Sequence, residues 1–536
     1  MGSRRRLRVA FVAGVLAPAW LACGPSRAPP EGARPLPPGV NAPVRLVDGR
    51  GLLSGSGKTS CTHQEPASAN GDRWCAFTFP TTLDSIGELW VVDVTRAAAG
   101  SVPRCDGTDA GCLRLTGSLP PRSIAFFDGD TLIYRADRVS GPTEEFLGPI
   151  FAWRPGWSRG RQISSDRGFT CIGQARSAAA ACFDEPGGDP AKRDSAQVSA
   201  GNLLDEGGGP LPSLGRWPLR NDNDTAWAAG FSPDGATFVL SSAATIGAKQ
   251  TLRTVATADA GPSPLAVAME DVEYWQPSND GKQVYFVRGL PQRADLFVAD
   301  FPSGQGARMI EPGILSFALV GERPEDQALT FVKDLGDTRG EFKLLRDRSQ
   351  TTPKSIFTFA DILDGANVSP DLRYTVWMDF AFRGVVIRND DLSTCPLDVG
   401  DEPPTFDAAF LDHAGLLFWK ETRPGESFRR DAFYAPPGNC RAKEHLADDI
   451  EFFVPIGDRG VVFADDQTQS SEGSTLKYVA ATGDGAHLDE LGPVRIQEGV
   501  GAPVVFVGTD PLLLVFPGVG TSPETSGIFV FGPVPF

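Results

Sequence analysis

Six copies of one short pattern recur at a nearly fixed interval, and that interval constrains the fold more than any other feature. The clearest copy is FSPDGATFVLSS, residues 231–242: an aromatic, a polar turn carrying Pro233, Asp234 and Gly235, then residues suited to a strand. WQPSNDGKQVYFV (275–287), FALVGERPEDQALTFV (317–332), VSPDLRYTVWM (368–378), FLDHAGLLFW (410–419) and VPIGDRGVVFA (454–464) keep the same order. One marker per turn, Gly235, Gly281, Asp326, Leu372, Gly415 and Gly460, gives spacings of 46, 45, 46, 43 and 45 residues. A hairpin-based period of that size is what a β-propeller leaves in a sequence. No segment shows a sustained helical period flanked by caps, so a helical domain is not expected.

At 536 residues the chain exceeds one ordinary core, and the repeats favour an array over several unrelated domains. Its 60 glycines and 45 prolines supply the turns that an all-β protein needs, and a 41% hydrophobic content fills the spaces between packed sheets. The formal charge is −17, and taking away the four arginines among residues 1–22 leaves −21. An acidic surface of that size repels phosphate backbones, so nucleic acid is not an expected partner.

The first 22 residues read as a secretory signal, with Arg4, Arg5, Arg6 and Arg8 ahead of the apolar run VAFVAGVLAPAWLAC. The run is short for a membrane span. Its end, Ala19-Trp20-Leu21-Ala22-Cys23-Gly24, resembles a bacterial lipobox. That resemblance implies that Cys23 is lipidated and becomes the new N-terminus, and Gly24 after it implies sorting to the outer membrane. Residues 23–43, with GPSRAPPEGARPLPPGVNAP, read as a flexible Pro/Gly-rich tether. The folded part is expected to start near Val44.

With Cys23 set aside, eight cysteines remain in a chain read as exported, where disulfides persist. Cys61 with Cys75, Cys105 with Cys112, and Cys171 with Cys182 would each close a short loop or hairpin. Cys395 and Cys440 lie 45 residues apart, one repeat period, at 23 and 25 residues after their turn markers, so a bridge would staple neighbouring units. The chain has no CxxC pair, and its cysteine spacings fit no common zinc pattern.

Residues 44–536 form the expected propeller: irregular blades over 44–225, regular repeats over 226–494 and a closing blade over 495–536. RWCAFTF (73–79) with ELWVVDV (88–94), and SIAFFDGDTLIYRA (123–136) with PIFAWRP (149–155), supply early strand pairs. FTCIGQARSAAAACF (169–183) precedes a Gly-, Asp- and Ser-rich stretch from Asp184 to Asp224 that reads as an insertion. A single ring of seven or eight four-stranded blades is the favoured architecture, with two propellers as the alternative. A terminal strand pairing with the first blade is expected to close it.

The copies Phe231 to Gly235, Trp275 to Gly281 and Val368 to Asp371, each followed by a β-rich strand, resemble the TolB-like propellers with their WD-like repeats. The resemblance implies an exported and often protein-binding role. It does not imply chemistry, because Pro and Gly shape the turn and Asp caps it.

Catalytic motifs are scarce. GLLSGSGKT, residues 51–59, fails the P-loop pattern because Leu52 stands where the first glycine is needed. There is no G-x-S-x-G elbow and no HExxH, and His63, His413, His445 and His487 read as surface residues. Asp106-Gly107-Thr108-Asp109 and Asn221-Asp222-Asn223-Asp224 offer oxygen ligands but match no complete calcium loop. The sequence therefore singles out no catalytic, cofactor-binding or metal-ligating residue, with calcium the one metal left open. The expected function is an envelope module that binds protein or glycan. The alternative is a calcium-dependent lactonase-like hydrolase with its site at the central channel.

Overall fold

The computed structural model describes residues 34–38, 40–47, 52–53, 61, 73–79, 87–105, 108–119, 125–136, 147–174, 177–184, 195–204, 206–218, 228–243, 250–258, 265–290, 293–321, 327–336, 339–346, 352–360, 366–378, 384–397, 404–411, 415–422, 430–465, 473–482, 487–489, 492–501, 504–507, 512–519 and 526–534. Among these the only helix is the short Val94–Ala98, and the rest of the regular structure is antiparallel strand. The all-β propeller of four-stranded blades read from the repeat is the architecture observed.

The strands form eight hydrogen-bonded sheets, six of four strands, one of seven and one of eight. Each of the two larger sheets joins two consecutive four-strand units. In the seven-stranded sheet, strand Arg308–Val320 is 13 residues long and serves twice. Its first part closes one unit, with Met309 opposite Phe297, and its second part opens the next, with Phe317 opposite Phe331. Gly313 takes the bend at φ +67, and its N–H donates to Asp295 Oδ1 at 3.0 Å. In the eight-stranded sheet, two units meet through the single pairing of Val500 with Gly518.

The four-strand units, numbered 1 to 10 here, cover 52–119, 125–162, 168–218, 228–270, 274–311, 314–360, 366–396, 404–447, 452–500 and 505–531, the last with 44–47 added. The four-stranded blades are those expected, but the ring holds more of them than the seven or eight read from the sequence. The packing units number ten and the sheets eight, because hydrogen bonds run across two of the unit boundaries.

Ten apolar clusters join these units in order. Trp74 and Leu89 of unit 1 pack on Phe127 and Trp153 of unit 2, and the series continues to units 9 and 10, where Val462 and Leu476 meet Leu514 and Phe529. The tenth cluster sets Leu513, Val515, Ile528 and Val530 of unit 10 against Phe77 and Val92 of unit 1. One ring therefore closes, and not two. Every sheet is covered on both faces, which is why second strands such as TLIYR (131–135) and GVVFAD (460–465) are buried at every position rather than at alternate ones.

Closure pairs the expected segments, a terminal strand with the start of the folded region, but the shared strand belongs to the last unit. The strand Val44–Val47 becomes the fourth strand of unit 10, pairing Val44 with Val530 and Arg45 with Phe529, so the N-terminus completes the last unit. The tether is also shorter than expected. Arg34 donates its N–H to the Pro493 carbonyl at 2.9 Å and accepts from Arg495 N–H at 2.8 Å. Its guanidinium reaches Asp489 Oδ2 at 2.9 Å and the Gly492 carbonyl at 2.7 Å, while Leu36 and Val40 pack on the cluster of units 9 and 10. Two apolar side chains and a cation with matched acceptors overcome the local preference of a Pro-rich segment for solvent. The stretch after Asp184 is not wholly an insertion either. Strands Ser195–Asn202 and Ser213–Pro218 complete unit 3, and the small apolar face of Ala196, Val198 and Ala200 is buried there.

The Ser-x-Asp turn explains the repeat. In units 4, 5 and 7 the hydroxyls of Ser232, Ser278 and Ser369 donate to Oδ1 of Asp234, Asp280 and Asp371 at 2.5, 2.6 and 2.8 Å. Each hydroxyl also accepts the N–H five residues on, at 2.9, 3.0 and 2.9 Å. Gly235, Gly281 and Leu372 occupy the same left-handed position, at φ +71, +65 and +61. Leu372 departs from the glycine pattern without changing the turn. Replacing the buried hydroxyl in Ser369→Ala leaves Tyr374 N–H without its acceptor and should cost about 1–3 kcal/mol, read from equilibrium unfolding in urea. An unchanged midpoint would show that the turn does not depend on this hydroxyl.

Candidate functional site

Several residues singled out from the sequence fall outside the described residues: Cys23, His63, His413, Asp106, Gly107, Asn221, Asp222, Asn223, Asp224 and most of the 51–59 stretch. The structure joins the other cysteines as Cys61–Cys75, Cys105–Cys112, Cys171–Cys182 and Cys395–Cys440, with Cα separations of 3.9, 5.0, 4.1 and 6.1 Å. Cys171 and Cys182 face each other across adjacent strands. Cys395 lies on the fourth strand of unit 7 and Cys440 in unit 8, so this bridge crosses a unit boundary. Closing a loop of that length is worth about 4 kcal/mol in the chain-entropy account.

Asp109 is a turn organiser. Its carboxylate accepts from Gly111 N–H at 2.8 Å, Arg104 N–H at 3.1 Å and the Arg96 guanidinium at 2.9 Å. The two backbone donors, followed by Arg96, hold its carboxyl below the usual range. His487 builds the turn after the third strand of unit 9: its N–H donates to Thr482 Oγ1 at 3.1 Å and its carbonyl accepts from Thr482 N–H at 2.7 Å. His445 is exposed, with Nε2 3.2 Å from Asp448 Oδ1.

The two ends of the ring differ. Because strands alternate in direction, first-to-second and third-to-fourth turns lie at one end, with the Ser-x-Asp turns. Second-to-third turns and the links between units lie at the other. At that second end several charged side chains are under a tenth exposed: Arg135 3%, Asp184 6%, Lys420 4%, Asp465 6% and Lys477 5%. Arg135, Asp184 and Asp465 each terminate a second strand. Those strands are buried along their whole length, so the charge at the end has no free face to turn toward water.

Partners differ from one unit to another. Lys477 and Asp465 form an ion pair at 2.6 Å. Lys420 donates to the Glu451 carbonyl at 2.9 Å and lies 5.8 Å from the Phe453 ring, while Ser474 Oγ donates to Glu451 Oε2 at 2.7 Å. Arg135 donates to the Phe169 carbonyl at 2.7 Å, and its Nε has no partner among the described residues. Burial pulls its pKa down to about 10, which leaves it charged at neutral pH. Asp184 Oδ2 accepts from Ser165 N–H at 3.0 Å, and its Oδ1 has no partner among the described residues. The sequence reading selected none of these residues. The available signal was a charge closing an otherwise apolar strand, as in AAACFD, which reads equally well as an ordinary strand end turning into solvent.

Burial raises the Asp184 carboxyl above its ordinary range, and the Ser165 hydrogen bonds pull it down without cancelling the shift. The folded chain thus holds this proton more tightly than the unfolded chain. Its contribution to stability is full below the ordinary aspartate pKa of about 3.9 and is lost as pH rises through the folded value. Asp184→Asn should therefore gain stability over the parent at neutral pH, with the gain vanishing toward about pH 4. Urea unfolding at the two pH values measures this, and an equal difference at both would mean that the carboxylate is fully compensated.

No family model matches the chain, and no curated protein matches it. A solved structure described as "Crystal structure of the eukaryotic initiation factor" is similar at 9% identity and a TM-score of 0.45, over 79% of this chain and 95% of that one. A likeness at that level carries no argument about function.

Proposed function

We propose that this chain is an exported lipoprotein, held at the outer membrane through a lipidated Cys23, whose TolB-like ring binds a protein or glycan of the cell envelope at its charged end. The supporting observation is where the N-terminal segment docks. Arg34 hydrogen-bonds beside the third-to-fourth turn of unit 9, around Asp489 and Gly492, which lies at the same end as the Ser-x-Asp turns. The chain from Cys23 to Arg34 spans 11 residues and reaches at most about 40 Å. An anchor at Cys23 thus holds the Ser-x-Asp end toward the bilayer and presents the charged end away from it.

Chemistry favours the same end for binding. The hydroxyls and carboxylates of the Ser-x-Asp turns are consumed by their own backbone. The opposite end combines buried Arg135 and Asp184, each with a polar atom unmatched among the described residues. Buried charge with perturbed protonation is a mark of functional surfaces, though structural networks also produce it.

Two measurements test this reading. Cys23→Ser should leave the ring folded and move the protein from membrane to soluble fractions, or block its processing. Persistence of the variant in carbonate-washed membranes would remove the lipid anchor from the account. For binding, the soluble ring immobilised by its C-terminus should capture a specific envelope protein or glycan, and Arg135→Met should weaken that capture at least tenfold. Absence of any captured partner, together with calcium-dependent turnover in a lactonase screen, would favour the hydrolase reading.

A further inference from the structure

The third and fourth strands of unit 8 carry a convergence of donors that neither the repeat nor the binding reading uses. Asp431, His445 and Asp448 each offer one ligand atom, and the three atoms lie within 4.8 Å of one another. We propose that these residues bind a first-row divalent metal of the zinc class at the outer rim of the ring's charged end.

A strand irregularity creates the convergence. Ala432 pairs with Ala447, but the next pairing is Phe433 with His445, so Leu446 is an extra residue in the fourth strand. Ala432, Leu446 and Ala447 pack on the cluster shared with unit 9, whereas Phe433 packs on the cluster shared with unit 7. In a regular ladder Leu446 would face Phe433 and His445 would lie on the opposite face. The bulge returns His445 to the face of Phe433, and by strand alternation Asp431 shares that face.

Each donor is also held. The Phe433 ring meets the His445 ring edge to face, with centroids 5.4 Å apart. Asp431 Oδ1 accepts from Asp449 N–H at 3.2 Å, and Asp449 adopts φ +49, a left-handed conformation that ends the strand sharply. Asp448 Oδ1 lies 3.2 Å from His445 Nε2, close enough for both to reach one ion. Lys443 Nζ lies 3.8 Å from the Phe433 ring centroid and is paired with Glu421.

The donor set decides the metal class. One imidazole nitrogen with two carboxylate oxygens suits zinc and its neighbours, while calcium prefers six to eight oxygens. Three protein ligands leave at least one position for water or for a group from a partner. The exposure of His445 and Asp448 makes the site exchangeable rather than structural, so folding should not depend on it.

Calorimetric titration of the full, disulfide-intact chain with Zn2+ tests the assignment, with circular dichroism to verify folding of each variant. The parent should bind zinc saturably at this site. His445→Ala and Asp431→Asn, the latter retaining an acceptor for Asp449 N–H, should each weaken binding tenfold or more, whereas His487→Ala should not. Zinc binding unaffected by His445→Ala and Asp431→Asn, or no saturable binding by the parent, would overturn the site. Displacement of zinc by equimolar Ca2+ would overturn the metal class. None of these outcomes depends on whether the ring captures an envelope partner.

Discussion

The ring depends on the pairing of Val44–Val47 with Ser526–Phe531. Each sheet has two apolar faces, and an open array would leave the faces of units 1 and 10 in water, with Phe77 and Val92 on one side and Leu513, Val515, Ile528 and Val530 on the other. Burying an aliphatic or aromatic side chain of this kind contributes about 1.5–3 kcal/mol. The N-terminal strand supplies the last edge with a hydrogen-bonding partner and brings the two faces together in one step. It also ties stability to contacts between the extreme ends of the described chain. The Arg34 clasp extends the same seam onto unit 9.

The fold was legible where one interaction repeats with the same residues. The Ser-x-Asp turn recurs because a single hydroxyl satisfies a backbone N–H and orders a carboxylate, and few other residue pairs can do both in so little space. The cysteine pairs were legible for a related reason: register or period places the partners together. Unit number was harder to read. Strand Arg308–Val320 belongs to two units without a break, and the strands completing unit 3 use alanine where a reader looks for valine or phenylalanine. The site was less legible still. The burial of Arg135 and Asp184 is set by the neighbouring sheet and not by the strand that carries them. His445 reaches Asp431 only through a bulge that leaves no composition signal.

Charge placement gives the ring two different ends. In the Ser-x-Asp turns of units 4, 5 and 7 the hydroxyl and carboxylate are taken up within the turn, while Asp93 and Arg73 are buried at the same end. At the other end, Lys477 with Asp465 and Lys420 with the Glu451 carbonyl show that buried charge is tolerated when the partner is fixed by an adjacent strand. Arg135 and Asp184 lack so complete a match among the described residues, and a closed array can hold such groups because many apolar contacts over-determine their positions.

Hydrogen bonds from side chains also join neighbouring units. Polar side chains on or beside first strands reach across unit boundaries. Gln276 accepts from Leu319 N–H at 3.2 Å, Asn367 donates to the Ala408 carbonyl at 2.9 Å, and Gln174 donates to the Ser232 carbonyl at 2.6 Å. These amides link neighbouring units. Ring closure is thus reinforced by side-chain hydrogen bonds between units as well as by the apolar clusters.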